Sequence, residues 1–401
     1  MNILVLNCGS SSVKFQLIDS NTGDFKAKGL CEKIGADDAM ANYEVPGKEK
    51  IKEILPLKNH EAAVNKIISN LLHEKHGILK SVKEIDAIGH RMVHGAEIFS
   101  KPVLIDKAVI EQTQKCCELA PLHNPANLVG IDCANKILPG IPQVGVYDTA
   151  FHQTMPKKSY LYAIPMELYK KYGIRRYGFH GPSHQYVSEQ AAKLLKKDYN
   201  KMKIITCHLG NGSSITAIMN GQSVDTSMGL TPLEGLMMGT RCGDLDPAIV
   251  QFIADKEKMN PSDVTNNILN KKSGMLGITR VSNDMREVHE ASEKGNEDAK
   301  TGVDMYCYRI KKYIGAYAAA MNGVDAIVFT GGIGEKDDIV RERVLSDMEY
   351  LGVHLNVKVN EGKKDAAVVI TTPESKVTAM VIPTNEELMI ARETERLVKN
   401  K

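Results

Sequence analysis

Residues 1–18, MNILVLNCGSSSVKFQLI, read as a strand, a tight polar turn and a second strand. Residues 2–6 are apolar, 7–12 are polar around Gly9, and 13–18 are again mostly apolar, the pattern of a β-hairpin. The pattern returns about two hundred residues on. Residues 203–206 form a strand, 210–214 (GNGSS) a turn and 215–219 a strand, so that GSSSVKFQLI aligns with GSSITAIM. A second pair follows in the same order: IDAIGHRMVHG from Ile85 and VDAIVFTGGIG from Val324. Two different segments repeated in one order predict two related halves rather than a chance likeness of strand and turn composition. Helical periods lie between. Val64, Ile67, Ile68, Leu71 and Leu72 keep helical spacing. Ser183 is placed to cap a helix carrying Val187, Ala191, Leu194 and Leu195, and Asp246 to cap one opened by Pro247. Thr384 and Glu387 have capping-box spacing before the last helix. Strands alternating with helices predict an α/β fold, with the boundary between the halves near residue 150.

Length and composition limit the function classes. A chain of 401 residues is enough for two to three domains at ~150 residues each. Lys and Arg total 51 against 49 Asp and Glu, a net charge of +2, which offers no electrostatic case for a nucleic-acid or membrane-surface protein. The first residues lack a basic leader and their apolar run stops at Asn7, so no targeting segment is expected. The eight cysteines show no C-x-x-C pair and no zinc spacing, and read as reduced thiols in a cytosol.

The common nucleotide signatures are missing. There is no G-x-x-x-x-G-K-[ST], and G-x-G-x-x-G fails because Asp337 stands at the third glycine position. Three small-residue turns directly after strands remain, at 7–12, 210–214 and 331–334. Glycine allows close backbone approach and its N–H groups can form anion-binding nests. Three such turns in a duplicated chain suggest a phosphate cradle. Asp337 and Asp338 are placed to open the helix after the third turn, which fits a nucleoside-side role there. Cations stand in similar places: Arg91 just past a strand, His180 in a Gly-flanked turn before a helix, and Arg241 in a glycine-bracketed loop. A lone arginine on a loop is more often a surface ion pair, a reading that the flanking glycines weaken. Asp148 ends an apolar run and reads either as a site residue or as a helix cap. Glu386, in the first turn of the last helix, reads as complementing the helix dipole. Cys8, in the first of these turns, and Cys242, beside Arg241, are candidates for a ligand-protected thiol reaction, against an inert buried alternative.

MNILVLNCGSSSVKF, GHRMVHG, VYDTAFH, RRYGFHGPSH, HLGNGSS, EGLMMGTRCGDLDP, FTGGIGE and PTNEE, in this order along almost the whole chain, resemble the acetate kinase family. The resemblance implies an α/β fold of two duplicated actin/Hsp70-like (ribonuclease H-like) domains around a nucleotide cleft. It puts residues 1–150 and 384–401 in one domain and 151–383 in the other. It implies a cytoplasmic homodimer acting on acetate, acetyl phosphate and ATP/ADP, with Mg²⁺ or Mn²⁺, and no nucleic-acid or membrane partner. Arg91, His180, Arg241 and Asp148 would be catalytic, the two arginines holding the carboxylate and the transferring phosphoryl. Asn7 and Glu386 would serve the metal, Glu386 through water. Lys14, Ser10 and Ser12 would lie near the phosphates. His208, Leu209, Gly210, Asn211, Gly212, Asp284, Met285, Arg286, Gly331, Gly332, Ile333, Gly334 and Glu335 would bind nucleotide. Val93, Leu122, Phe179 and Pro232, with Arg91, would contact the acceptor.

A carboxylic acid with a pKa near ~4 arrives ionised, so the implied reaction needs no general base; it needs charge neutralisation and positioning. Arg91→Ala and Arg241→Ala are therefore expected to fold normally and lose most activity. Propionate or butyrate kinase and a sugar kinase of the same superfamily are the alternatives, with an actin- or chaperone-like nucleotide switch as the non-enzyme rival.

Overall fold

The opening hairpin forms as its alternation demands. Strand β1 (Asn2–Cys8) pairs antiparallel with β2 (Ser12–Asp19), followed by β3 (Phe25–Glu32), β4 (Met40–Glu44), β5 (Ile51–Ile54), β6 (Ala87–Met92), β7 (Val103–Leu104) and β8 (Gln143–Tyr147). The computed structural model describes residues 1–400. They fall into two compact units, residues 1–151 with 385–400, and His152–Thr384. The sheet of the first unit runs β5-β4-β3-β2-β1-β6-β8-β7. Strands β1, β6 and β8 are mutually parallel and the others antiparallel to their neighbours. The helix His60–Leu71 lays Val64, Ile67, Ile68 and Leu71 against Leu4, Leu6 and Leu17 of that sheet.

The second unit repeats the plan. Its strands β9 (Lys203–His208), β10 (Ser214–Met219), β11 (Gln222–Thr226), β12 (Ala326–Thr330), β13 (Val368–Val369) and β14 (Thr378–Val381) run β11-β10-β9-β12-β14-β13. Place for place this is β3-β2-β1-β6-β8-β7, with the same sense in every pair. The duplication read from GSSS/GSSI and IDAI/VDAI is thus a duplication of topology, and the fold is the expected α/β class of two duplicated units. The helix Glu297–Ala320 presents Val303, Tyr306, Ile310, Ile314 and Tyr317 to this sheet. Among the described residues no helix is long and apolar enough to cross a membrane.

Several local expectations change. The helix Gly181–Leu195 begins ahead of Ser183, which therefore lies in its first turn and caps nothing. The last helix, Glu386–Lys399, is capped by Asn385, whose side chain accepts from Leu388 N (3.0 Å), in place of Thr384. Asp246 accepts from Ala248 N at 2.9 Å, but Pro247 rather than Asp246 holds the cap position of the helix Ala248–Glu257. Gly331–Gly334 is no turn: Gly331–Lys336 is a short helix directly on the end of β12, and Asp337 caps the next one, Asp338–Leu345.

This short helix is held from below by a buried cation. Arg341 is fully buried and donates to Asn360 Oδ1 (2.8 Å), to Gly334 O (3.0 Å), and through Nη2 to Asn360 O (2.7 Å) and Gly362 O (2.9 Å). Burial lowers its pKa, with Asp338 and Asp337 opposing. Arg341→Leu strands these carbonyls at ~1–3 kcal/mol each and should cost about 3 kcal/mol or more in urea unfolding; a loss below ~1 kcal/mol would contradict the arrangement.

Candidate active site

Parallel strands place their carboxyl ends side by side, where α/β folds bind ligands. In the first unit Arg91 lies inside β6, opposite Val146 of β8, and not past the strand as its sequence suggests. Asp148 follows β8 directly. Arg91 Nε donates to Asp148 Oδ1 (3.0 Å) and Nη2 to Oδ2 (2.8 Å), a two-point pair. Asp148 is therefore an ion-pair partner, not a helix cap. The third guanidinium nitrogen, Nη1, faces Glu386 Oε2 at 3.6 Å. Glu386 comes this close because the last helix sits directly on Gly89. A Cβ there would meet Thr394 Oγ1 at 2.6 Å and Ile390 Cγ2 at 2.7 Å. The helix-dipole role expected of Glu386 is thus joined by a specific partner. Lys14, on β2 opposite Asn7 of β1, pairs with Glu387. Burial alone would lower the Arg91 pKa; Asp148 and then Glu386 outweigh it and the net shift is upward.

Two asparagines missed in the sequence brace this edge. Asn127 accepts from Val93 N (3.0 Å) and donates to Cys8 O (2.9 Å), and Asn124 brackets both backbone groups of His94. Their only signal was NPAN at a helix start. Ser10 is exposed beside Gly9, whose N–H donates to Ser12 O (2.8 Å). Leu122 is 71% exposed, and Val93 is half-buried.

The second unit carries the other candidates. His180 stands ahead of its helix in the left-handed region (φ 58°), rare for a residue with a Cβ and typical of functional turns. Gly178 before it has φ 76°, and a Cβ there would meet the His152 ring at 2.8 Å. The His180 ring stacks on His208 at 4.2 Å, and Nδ1 meets Ser214 Oγ at 2.9 Å. His208 Nδ1 meets Ser183 Oγ (2.8 Å), which also meets Thr384 Oγ1 (2.8 Å). Arg241 comes to the same place: a Cβ built on Gly212 would lie 3.6 Å from its Nη1 and 3.8 Å from His180 Cε1. Arg241 Nη1 donates to Pro232 O at 3.0 Å, and burial lowers its pKa. Among the described residues no carboxylate pairs with it. Phe179 is buried, its carbonyl bonded to His152.

Three separated segments meet beside this group. Leu209 O accepts from Ile333 N (2.8 Å) and Gly334 N (3.3 Å), and Asn211 Oδ1 accepts from Asn283 Nδ2 (2.9 Å). They line a groove of roughly 510 Å³ that includes Gly210, Asn211, Asp284, Met285, Arg286, Gly332 and Ile333. Asn283, His289 and Lys336 also line it and were not foreseen. Asp284 and Arg286 pair with one another, Asp284 also capping the helix Met285–Glu293. Glu335 Oε1 accepts from Gly331 N (2.9 Å) and Thr384 N (3.0 Å), so it closes the end of the short helix.

The cysteine reading changes. Cys8 is buried, and burial pushes its pKa up to about 12; Cys242 is half-buried and also raised by burial. Neither has the low-pKa surroundings of a reactive thiol. The stability expectation for the arginines splits as well. Asp148 is 2% exposed, so Arg91→Ala takes the two-point cationic partner from a buried carboxylate and should cost about 3–5 kcal/mol. Arg241→Ala strands no charge and should melt near wild type; equal melting temperatures for the two variants would oppose this.

Duplicated mixed sheets with arginines and histidines gathered at their carboxyl ends define an α/β phosphotransferase, built to hold small anions. The chain belongs to the acetokinase family, whose model matches residues 2–392. It is 56% identical to the acetate kinase of Carboxydothermus hydrogenoformans, with both chains fully covered. Its fold is similar to the crystal structure of Porphyromonas gingivalis acetate kinase (51% identity, TM-score 0.96) and to that of a propionate kinase from Francisella tularensis (46%, TM-score 0.92), each with 99% of both chains covered.

Proposed function

We propose that this chain catalyses the reversible transfer of a phosphoryl group between ATP and acetate, giving ADP and acetyl phosphate. The observation that carries this reading is Arg241: a buried guanidinium whose pKa burial lowers, close to His180 across Gly212, with no carboxylate among the described residues to pair with it. Such a group is short of an anion. In the forward direction a carboxylate oxygen of acetate attacks the γ-phosphorus, the bond to the ADP oxygen breaks, and no proton need move. Arg241 and His180 serve the charge on the transferring group. Arg91, aligned by Asp148 and with Nη1 turned toward Glu386, keeps N–H groups on Nη1 and Nη2 that can also serve an anion. Both Asp148 oxygens accept from Arg91, so Asp148 is an orienting group rather than a base, which disfavours a hydroxyl acceptor. The groove along Gly210–Asn211, Asp284–Arg286 and Gly332–Ile333 takes the nucleotide, and Val93 and Leu122 in the first unit, like Phe179 and Pro232 in the second, are candidates for the acceptor's methyl side.

The donor set suits a magnesium-type cation. Asn7 and Glu386 offer hard oxygen atoms, and Mg²⁺ is commonly held by one or two such groups, with water and phosphate completing its shell. The local charge also calls for one. Arg91 and Lys14 face Asp148, Glu386 and Glu387, one more negative than positive. When bound, the ion supplies neutralisation of phosphate charge. A cytoplasmic homodimer remains the family-based expectation for the assembly.

Likeness to a propionate kinase favours propionate as a second acceptor, since one methylene in an apolar pocket is worth only ~1–3 kcal/mol. Trapping acyl phosphate with hydroxylamine in the presence of ATP and Mg²⁺ should give hydroxamate from acetate, and less from propionate and butyrate; no hydroxamate from any of the three ends the proposal. Arg241→Ala should lower turnover by ~10²–10³ with the fold retained. Near-wild-type turnover would remove Arg241 from the mechanism.

A further inference from the structure

Behind His180 lies a chain of buried polar groups that neither the motifs nor the reaction accounts for. His180 Nδ1 meets Ser214 Oγ at 2.9 Å, the same oxygen meets His184 Nε2 at 2.7 Å, and His184 Nδ1 meets Thr206 Oγ1 at 2.7 Å. Ser214, His184 and Thr206 are all fully buried. We propose that Thr206, His184 and Ser214 form a one-way hydrogen-bond relay that fixes neutral His180 as the Nε2–H tautomer, giving it a donor for the transferring phosphoryl group.

The direction follows from counting protons. Each hydroxyl has one proton to donate, and a neutral imidazole has one N–H and one lone pair. Among the described residues the Thr206 hydroxyl has one partner, His184 Nδ1. If His184 donated to Thr206, the threonine proton would be buried with nothing to receive it. An orphaned buried donor of this kind corresponds to roughly a 5- to 150-fold bias against that arrangement. Thr206 therefore donates to His184 Nδ1, and His184 must carry its proton on Nε2 and donate to Ser214 Oγ. Ser214 then has its own proton free for His180 Nδ1, which leaves the His180 proton on Nε2. Burial, with smaller contributions from His152 and His208, holds the His184 pKa well below the ordinary range, so His184 stays neutral and cannot donate in both directions. Thr206, His184 and Ser214 are positioning residues, acting on the phosphoryl through His180. The inference rests on the kinase reading only for the purpose of the tautomer, not for its existence.

The experiment uses the full-length chain labelled with ¹⁵N-histidine and no substrate, with the two His180 ring nitrogens assigned by comparison with His180→Ala. Wild type should show His180 as Nε2–H. Thr206→Val, which keeps the shape and β-branching but removes the donor, should populate both tautomers. It should lower kcat a few-fold with unchanged KM for acetate and ATP, and Thr206→Ser should restore both readouts. Ser214→Ala cuts the relay nearer His180 and should disturb the tautomer in the same way. The relay is overturned if wild-type His180 is Nδ1–H or doubly protonated, if Thr206→Val leaves the tautomer unchanged, or if Thr206→Ser is as impaired as Thr206→Val. Wild-type turnover in His180→Ala would instead sink the catalytic role of His180 and leave the tautomer result standing.

Discussion

In each unit, one pairing does most of the organising: the first strand of the hairpin runs parallel to the strand that follows the intervening helix. Strand β1 lies beside β6 in this sense, and β9 beside β12. Parallel pairing requires a crossover, and it puts two carboxyl ends, with the loops that leave them, next to each other. Asn7–Gly9 and Arg91–His94 are brought together in the first unit for this reason, and Leu209–Gly212 and Gly331–Gly334 in the second. The close helix seat at Gly89 depends on the same arrangement, because it sets Glu386 over the end of β6.

Within that frame, desolvation separates two arginines of identical chemistry. Arg91 is compensated by Asp148 and Glu386 and stays a fully committed cation with a fixed orientation. Arg241 is desolvated, and among the described residues its guanidinium hydrogen-bonds the carbonyl of Pro232 and the sulfur of Met238, with no carboxylate. The first arrangement costs nothing further when ligand is absent, and it ties the fold to the pair. The second holds a cation in an unfavourable state that an incoming anion relieves. Preorganised charge of this kind stabilises developing negative charge without reorganisation at the moment of reaction.

Much of this was legible in the chain. The two hairpins, the two IDAI-type strands and the glycine-bracketed positions of His180 and Arg241 all show in local pattern, because strand alternation and turn chemistry are local properties. Cap assignments at Ser183 and Thr384 were not. Both hydroxyls have the right spacing, and both are drawn instead into the His208 network by residues far away in sequence. The helix at Gly331 escaped notice because two adjacent glycines look like a turn until Glu335 reaches back to close it. Cys8 and Cys242 stand next to glycine loops in sequence, yet burial and not that proximity sets the state of their thiols.

The sequence alone determined the fold class, the internal repeat, the family and the set of residues from which a site must be drawn, since periodicity, turn residues and motif order are all written along the chain. Tertiary structure decided what each of those residues faces. Asp148 as the partner of Arg91, Arg241 without an acid, and the proton order from Thr206 to His180 depend on groups separated by 22 to 57 residues. Desolvation and hydrogen-bond satisfaction are properties of a residue's surroundings, and those exist only once the sheets have brought distant segments together.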